Sequence, residues 1–293
     1  MNRVTTIARR SKNFIRFRLA SRDLHIESPA KRGMFAQLNF CLYMADYTER
    51  HGQRLFVYLT GQNYLDPDHG PNWFDYFFFH RHGATAPSNP KTIKVYDNSE
   101  LPFACRPSLE EANRLFFRHF GIHKDITDHA DSFAAAHAID ARTLGVHYRG
   151  TDKRTEAEPV KIDEFVLKVE RAIAEAPNVR NIVAASDDAR FPDALKRRIC
   201  SLPVISFDDS FRSAGDVPVH LMGYRRGNYT MGRDALINAL LLAKCGSIVR
   251  TSSFLSAWAS IFNPGLTVSL ANQPYKGKLW FPEREVLRRA TLI

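Results

Sequence analysis

The sequence predicts an α/β fold with a parallel sheet, and three observations carry the prediction. From residue 144 to 262, runs of strand length alternate with stretches of helical spacing, the pattern of a parallel sheet covered on both faces. The strand candidates 144–149, 181–186 and 247–250 are mostly apolar, as buried strands are. Each of the three then turns abruptly polar. The chain of 293 residues can bury one large core or two ordinary ones, and its hydrophobic fraction of 44% is that of a soluble globular protein.

The first half is the less regular. MFAQLNFCLYMADYTERHG (34–52) has helical apolar spacing, with Gly52 as a stop signal. RLFVYL (54–59) reads as a strand, and NWFDYFFF (72–79) is an aromatic cluster after the Pro, Asp and Gly of 66–71. TIKVY (92–96) reads as another strand, and SLEEANRLFFRHF (108–120) as a helix capped by Ser108. In the second half, strand LGVHYR (144–149) leads to helix 163–176, with Asp163 as N-cap. Strand NIVAAS (181–186) precedes helix 188–199, and strand PVISF (203–207) follows. Helix DALINALLLAKCG (234–246) ends on Gly246 and feeds strand SIVR (247–250). Helix SFLSAWASIF (253–262) stops at Asn263-Pro264-Gly265.

Parallel sheets bind ligands at the carboxyl ends of their strands, where the polar outbursts lie. The first is GVHYRGTDKRTEA (145–157). Strand alternation puts His147 and Arg149 on one face. Arg149 suits bidentate capture of a phosphate, Lys153 adds a second positive charge, and Glu156 can accept a proton. The same residues also suit a solvated loop of local ion pairs. The second is AASDDARF (184–191), in which Ser186 or Asp187 caps the next helix, with or without a ligand contact. The third is RTSSFLS (250–256). Amides at a helix N-terminus, with the hydroxyls of Thr251, Ser252 and Ser253, suit a phosphate, although capping alone also accounts for them. Three such ends on one edge point to a nucleotide-like anionic ligand.

Net charge is +10, which favours acidic partners: nucleic acid, anionic membrane or a phosphorylated small molecule. MNRVTTIARRSKNFIRFRLA (1–20) holds six basic residues and no acid, without the apolar core of a signal peptide. It reads as a flexible or surface-lying basic arm, with loose association to anionic lipid as the alternative. No apolar run is long enough to span a bilayer. Cys41, Cys105, Cys200 and Cys245 lie far apart without C-x-x-C spacing, so free buried thiols in a reducing cytoplasm are the simplest account and a zinc site is not expected. The expected location is cytoplasmic, at most peripheral at the inner face of the membrane.

H-x-R-x-T-D-K (147–153) followed by T-E-A (155–157) resembles the first motif of the α1,6-fucosyltransferases, a family that includes the rhizobial nodulation enzymes. It sits in a superfamily with the α1,2- and protein O-fucosyltransferases. ASDD (185–188) resembles the family's second motif, and GRDALINALLLAKCGSIVRTSSFLSAWASIFNP (232–264) its third. GMFAQLNFCLYMADYTERHG and WFDYFF in the first half are similar as well, so the resemblance runs over roughly 33 to 265.

The resemblance implies a GT-B-like fold of two Rossmann-like domains facing across a cleft. The boundary drawn from it gives an acceptor-side domain over 1–139 and a nucleotide-sugar domain over 140–293, whose last helix could return to the first. It implies transfer of fucose from GDP-fucose to a glycan hydroxyl, with inversion, without a cofactor and without a required metal. O6 of GlcNAc in a chitooligosaccharide is one acceptor that would fit. By position, Arg149 would grip the β-phosphate, His147 would contact the nucleotide, and Glu156, helped by Lys153, would be the base. Asp188 would support the site, and Ser252 and Ser253 would hold diphosphate oxygens. Asn238 falls where some members carry an Asp toward the guanine. The family usually has two adjacent arginines in its first motif; here the second is Gly150, and the stretch from Lys153 to Glu156 is one residue shorter than in the animal enzymes.

Other readings differ in class. Asp66-Pro67-Asp68 matches the Asp-x-Asp of metal-dependent glycosyltransferases, but its Pro67 and Gly70 mark a turn. Nucleic-acid binding would explain the charge, yet no nucleic-acid motif is found. A catalytically inactive GDP-sugar binder, or a transferase using another nucleotide sugar, remains the alternative to fucosyl transfer.

Overall fold

The computed structural model describes residues 3–20, 22–85, 90–101, 105–150, 157–207, 212–213, 227–275, 277 and 280–293, apart from the side chains of residues 3–5 and 18. Two compact units result, Met1–His123 and Lys124–Ile293.

The first unit opens with helix α1 (Arg3–Leu19), where a flexible or surface-lying arm is expected. Its order comes from a narrow inner stripe: Asn13 and Phe17 are buried, and Phe17 packs edge-on against Tyr47. Strand β1 (Asp23–Ser28), helix α2 (Met34–His51) and strand β2 (Arg54–Leu59) follow. Gly52 ends α2 as expected, in the left-handed conformation at φ 63°, which a glycine adopts without penalty. A short helix α3 (Phe74–Phe77) and strand β3 (Phe78–His80) divide the aromatic run of 72–79. Strand β4 shrinks to Ile93–Lys94. Helix α4 (Leu109–His119) carries the expected cap, since Ser108 and Glu111 form a reciprocal capping box. Strand β5 (Phe120–Ile122) pairs antiparallel with β3. The main sheet of this unit is parallel in the order β2-β1-β4.

Strand β1 has no counterpart in the sequence reading. Its alternation is real, with Leu24, Ile26 and Ser28 turned inward, but its outer positions are polar and find partners across the sheet. Arg54 grips Asp23 bidentately at 2.6 and 2.7 Å, and His25 stacks on Phe56.

The second unit holds α5 (Lys124–Ala136), β6 (Thr143–Tyr148), α6 (Ile162–Glu175), β7 (Asn181–Ser186), α7 (Arg190–Arg198) and β8 (Val204–Ser206). Then come α8 (Asn228–Lys244), β9 (Ser247–Arg250), α9 (Phe254–Phe262), β10 (Thr267–Leu270), α10 (Glu283–Leu287) and β11 (Thr291–Leu292). The six strands form one parallel sheet in the order β11-β10-β9-β6-β7-β8. One core joins β6, β7 and β9 to α6 and α7 through Val146, Tyr148, Phe165, Val169, Ile182, Phe191, Leu195 and Val249.

Several boundaries move. The contact division falls after His123, ahead of the expected 139/140, because α5 packs against α8 of the second unit. The last helix, α10, packs on α9 and so belongs to the second unit. Lys161, rather than Asp163, is the N-cap of α6, with Asp163 in its first turn. Helix α8 begins at Asn228, before residue 234, and is capped at Cys245. All four cysteines are free, and Cys41 and Cys245 are buried as expected, but Cys105 is only half-buried and Cys200, just past the end of α7, is exposed.

Candidate active site

The site is set by where strands stop. Register pairs Tyr148 of β6 with Ser186 of β7, and His147 of β6 with Arg250 of β9. Arg250 in turn pairs with Leu270 of β10. Four neighbouring strands therefore end level, and the three sequence motifs emerge side by side from three of them.

Side chains then lock these ends together. The Thr251 hydroxyl accepts the Arg149 amide at 2.8 Å, tying the β6 end to the β9 end. Asp187 does the same on the other side: Oδ1 accepts the Gly150 amide at 3.1 Å, and Oδ2 lies 3.1 Å from Arg149 Nε. The Ser186 hydroxyl donates to the Tyr148 carbonyl at 2.8 Å and accepts the Asp188 amide at 3.0 Å. Arg149 is thus held from two strands while its side chain stays 21% exposed.

Neither Ser186 nor Asp187 caps α7: the N-cap is Ala189, which has no side-chain cap, because the helix starts only at Arg190, and Asp188 holds that first residue instead. Its Oδ1 accepts both the backbone amide and Nε of Arg190 at 2.9 Å, and Oδ2 pairs with Nη2 at 2.6 Å. Burial pushes this carboxyl up, but the hydrogen bonds from Arg190 outweigh it, so Asp188 titrates below the ordinary value. Asp187 is freed for Arg149.

His147 is 3% exposed, and its Nδ1 is buried without a hydrogen-bond partner. Burial, then the charges of Arg250 and Arg149, hold its pKa well below the usual value, so the ring is neutral near pH 7.

Thr251, Ser252 and Ser253 are all buried at the start of α9. Ser253 is the N-cap residue, but its side chain does not cap the helix. The turn is shaped by three residues to which the sequence reading gives no role in the site. Arg250, fully buried, donates from Nε to the Ser256 hydroxyl at 2.7 Å and from Nη2 to the Ser253 carbonyl at 2.8 Å. Its other contacts are with Glu283 of α10, at 2.7 and 3.0 Å. Asn272, past the β10 end, accepts the Ser252 amide at 2.7 Å and donates to the Glu158 carbonyl at 2.7 Å. Asn272 therefore joins the serine turn to the segment returning from the first motif. Only an apolar strand ending in a cation hinted at Arg250; nothing local marks Asn272 or Glu283.

Gly150 has a steric reason. A Cβ there would come 2.8 Å from the Tyr148 ring and 3.2 Å from Asp188 Oδ2. Tyr148 is buried and stacked on Phe191 at 5.0 Å, and its hydroxyl donates to the Val160 carbonyl, so the ring cannot easily yield. A second arginine does not fit after Arg149 while Tyr148 sits where it does.

The remaining expectations separate. Arg149, His147, Asp188, Thr251, Ser252 and Ser253 are gathered at the strand ends. Asn238 lies instead along α8, 8% exposed, donating to the Asp234 carbonyl one turn earlier. Lys153 and Glu156 lie outside the described residues. Asp66 and Asp68 belong to a 3₁₀ turn in which Asp66 accepts the Asp68 amide. Among the described residues, no group of three or more His, Cys, Asp or Glu side chains could hold a metal ion.

At the level of sequence, neither a family model nor a curated protein matches the chain. Solved structures do match. A structure of NodZ α1,6-fucosyltransferase soaked with GDP-fucose is 18% identical, with a TM-score of 0.54, over 82% of this chain and 93% of that one. Fucosyltransferase NodZ from Bradyrhizobium gives the same identity and TM-score over 82% and 94%. A mutant of Arabidopsis thaliana FUT1 in complex with GDP is 11% identical, with a TM-score of 0.53, over 89% and 73%. At these identities the likeness shows a common α/β fold.

Proposed function

We propose that this protein transfers fucose from GDP-fucose to a hydroxyl of a glycan acceptor, inverting the sugar's anomeric carbon without a metal ion. The observation that carries the reading is the clamp on Arg149: Asp187 holds its guanidinium and Thr251 its amide, beside the buried serines at the start of α9. A fixed cation next to a helix N-terminus suits a diphosphate. The motif resemblance and the fold shared with structures holding GDP-fucose or GDP support guanosine diphosphate in particular.

The chemistry follows from that arrangement. As the bond from the anomeric carbon to the β-phosphate oxygen breaks, its electron pair goes to the phosphate and the sugar becomes oxocarbenium-like. Arg149, already oriented, stabilises the growing phosphate charge with no reorganisation. The acceptor oxygen attacks from the opposite face, and its proton passes to Glu156, assisted by Lys153. Ser252 and Ser253 line the diphosphate, with Thr251 setting the strand end. Neutral His147 contacts the nucleotide, and Asn238 is the residue assigned toward the guanine. Asp188 supports the site by fixing the start of α7. Nucleic acid is not among the proposed partners.

Two measurements test the reading. In thermal shift, GDP is expected to raise the melting temperature more than UDP or ADP, because a ligand that binds only the folded state stabilises it. Stabilisation by UDP and not GDP would overturn the donor, with Asn238 the first residue to reconsider. Labelled GDP-fucose offered with a panel of oligosaccharides, chitin oligomers included, should then give transfer that survives EDTA. GDP binding without turnover on any acceptor would favour an inactive GDP-sugar binder.

A further inference from the structure

Helix α1 is anchored by one edge and presents the rest of its surface outward. Arg9, Asn13 and Phe17, spaced by four, form the inner stripe. Arg9 pairs with the buried Glu100 at 3.1 Å and lies 4.5 Å over the Tyr96 ring, and Phe17 packs on Tyr47. The outer side carries four large apolar residues, and by helical spacing Ser11 and Arg18 share their arc. Ile7 is 66% exposed, Phe14 44%, Ile15 58% and Leu19 79%. Nine large hydrophobic residues are exposed among the described residues, and these four fall within one 17-residue helix. Their spacing of seven, one and four keeps them on one arc. Exposed Arg10 borders that arc on one side, and exposed Lys12 and Arg16 on the other. The helix contains six basic residues and no acid.

We infer that α1 lies on an anionic lipid surface, with Ile7, Phe14, Ile15 and Leu19 entering the headgroup boundary and Arg10, Lys12 and Arg16 meeting lipid phosphates. An apolar arc between basic rims is what an interfacial helix needs. The other occupants fit less well. A second copy packed through the same face would bring Arg10, Lys12 and Arg16 of one chain against the same cations of the other, and nucleic acid offers nothing to four exposed apolar side chains. The helix cannot cross a bilayer: among the described residues none is long and apolar enough. The inference does not depend on the proposed reaction, since no residue of α1 belongs to that site.

Co-sedimentation of the full chain tests it, using vesicles of phosphatidylcholine alone and of phosphatidylcholine mixed with an equal amount of phosphatidylglycerol. Binding is expected to the mixed vesicles and to fall as salt is raised. The variant Ile7→Ser/Ile15→Ser/Leu19→Ser should lose binding with an unchanged melting temperature, because all three side chains point outward. Lys12→Glu/Arg16→Glu, a second route that leaves the apolar arc intact, should weaken binding at least tenfold, at about fivefold per basic residue removed. Equal binding to both vesicle types, no binding to either, or wild-type binding by the charge-reversed variant would overturn the proposal. A concentration-dependent dimer abolished by the serine substitutions, without vesicle binding, would assign the face to a second copy and overturn it as well.

Discussion

Arg250 and Glu283 close a bidentate ion pair inside the second unit, at 2.7 and 3.0 Å, with both side chains wholly buried. Arg250 also donates from Nε to Ser256 and from Nη2 to the Ser253 carbonyl, so the pair sets the turn that carries the serines. Removing one partner strands a buried charge, which costs about 3–5 kcal/mol. Glu283→Leu is therefore expected to lower unfolding free energy by that order, read from urea denaturation. Adding Arg250→Met should recover most of the loss, because a buried pair can be replaced by apolar groups of like volume. The double variant should still bind GDP poorly, its turn having lost the anchors at Ser253 and Ser256. A single variant as stable as the parent would mean that the pair is not buried as described.

Arg149→Lys keeps a charge but loses the planar fork that Asp187 orients through Nε. Transfer from GDP-fucose should fall by about a hundredfold or more, the usual cost of one preorganised group of this kind being roughly 3–4 kcal/mol. Near-normal turnover in this variant would remove Arg149 from the mechanism.

Glu156→Gln retains size and hydrogen bonding but is far less basic. If Glu156 takes the acceptor's proton, GDP affinity should stay nearly intact while transfer drops about 10²–10⁴-fold. Parallel GDP titrations and transfer assays separate the cases. Unchanged transfer would rule this carboxylate out, and loss of both binding and transfer would make it structural.

Acid should destabilise the first unit through His80. Burial, then the neighbouring His82, His119 and His25, hold its pKa down to about 3. The Val57 amide donates to its Nε2 at 3.0 Å, a bond only the unprotonated nitrogen can accept. The unfolded chain gains this proton near pH 6.5, whereas the folded one does not until about 3, so the unfolded state binds more protons between those values. Stability is full above about pH 6.5 and falls below it, by about 2 kcal/mol at pH 5. His80→Gln should flatten that slope in denaturation curves taken from pH 7 to 5. A slope equal to the parent's would show that His80 does not carry it. His147, also held far down, adds a contribution of the same sign in the second unit.

What the sequence determined by itself is the part governed by neighbours along the chain. The helix at 109–119 announces itself because Ser108 and Glu111 cap it within one turn, and Gly52 ends α2 by its own backbone freedom. The strands 143–148, 181–186 and 247–250 are legible because each is buried by its own apolar run. Once they are parallel neighbours, their polar ends must fall on one edge, and so the gathering of His147, Arg149, Asp188 and Thr251–Ser253 could be read in advance. Tertiary structure decided what depends on partners distant in sequence. Strand β1 is half polar, and it is the pairing with β2 and β4 on either side, with Arg54 and Phe56 meeting its Asp23 and His25, that makes it a strand. Asp187 rather than Asp188 faces Arg149 because Arg190 occupies Asp188 first. Asn272 and Glu283 shape the serine turn from beyond the motifs, and no spacing rule connects them to it. Periodicity and capping act over a few residues, whereas hydrogen bonds and buried charges pair whatever side chains the packed sheet brings within reach.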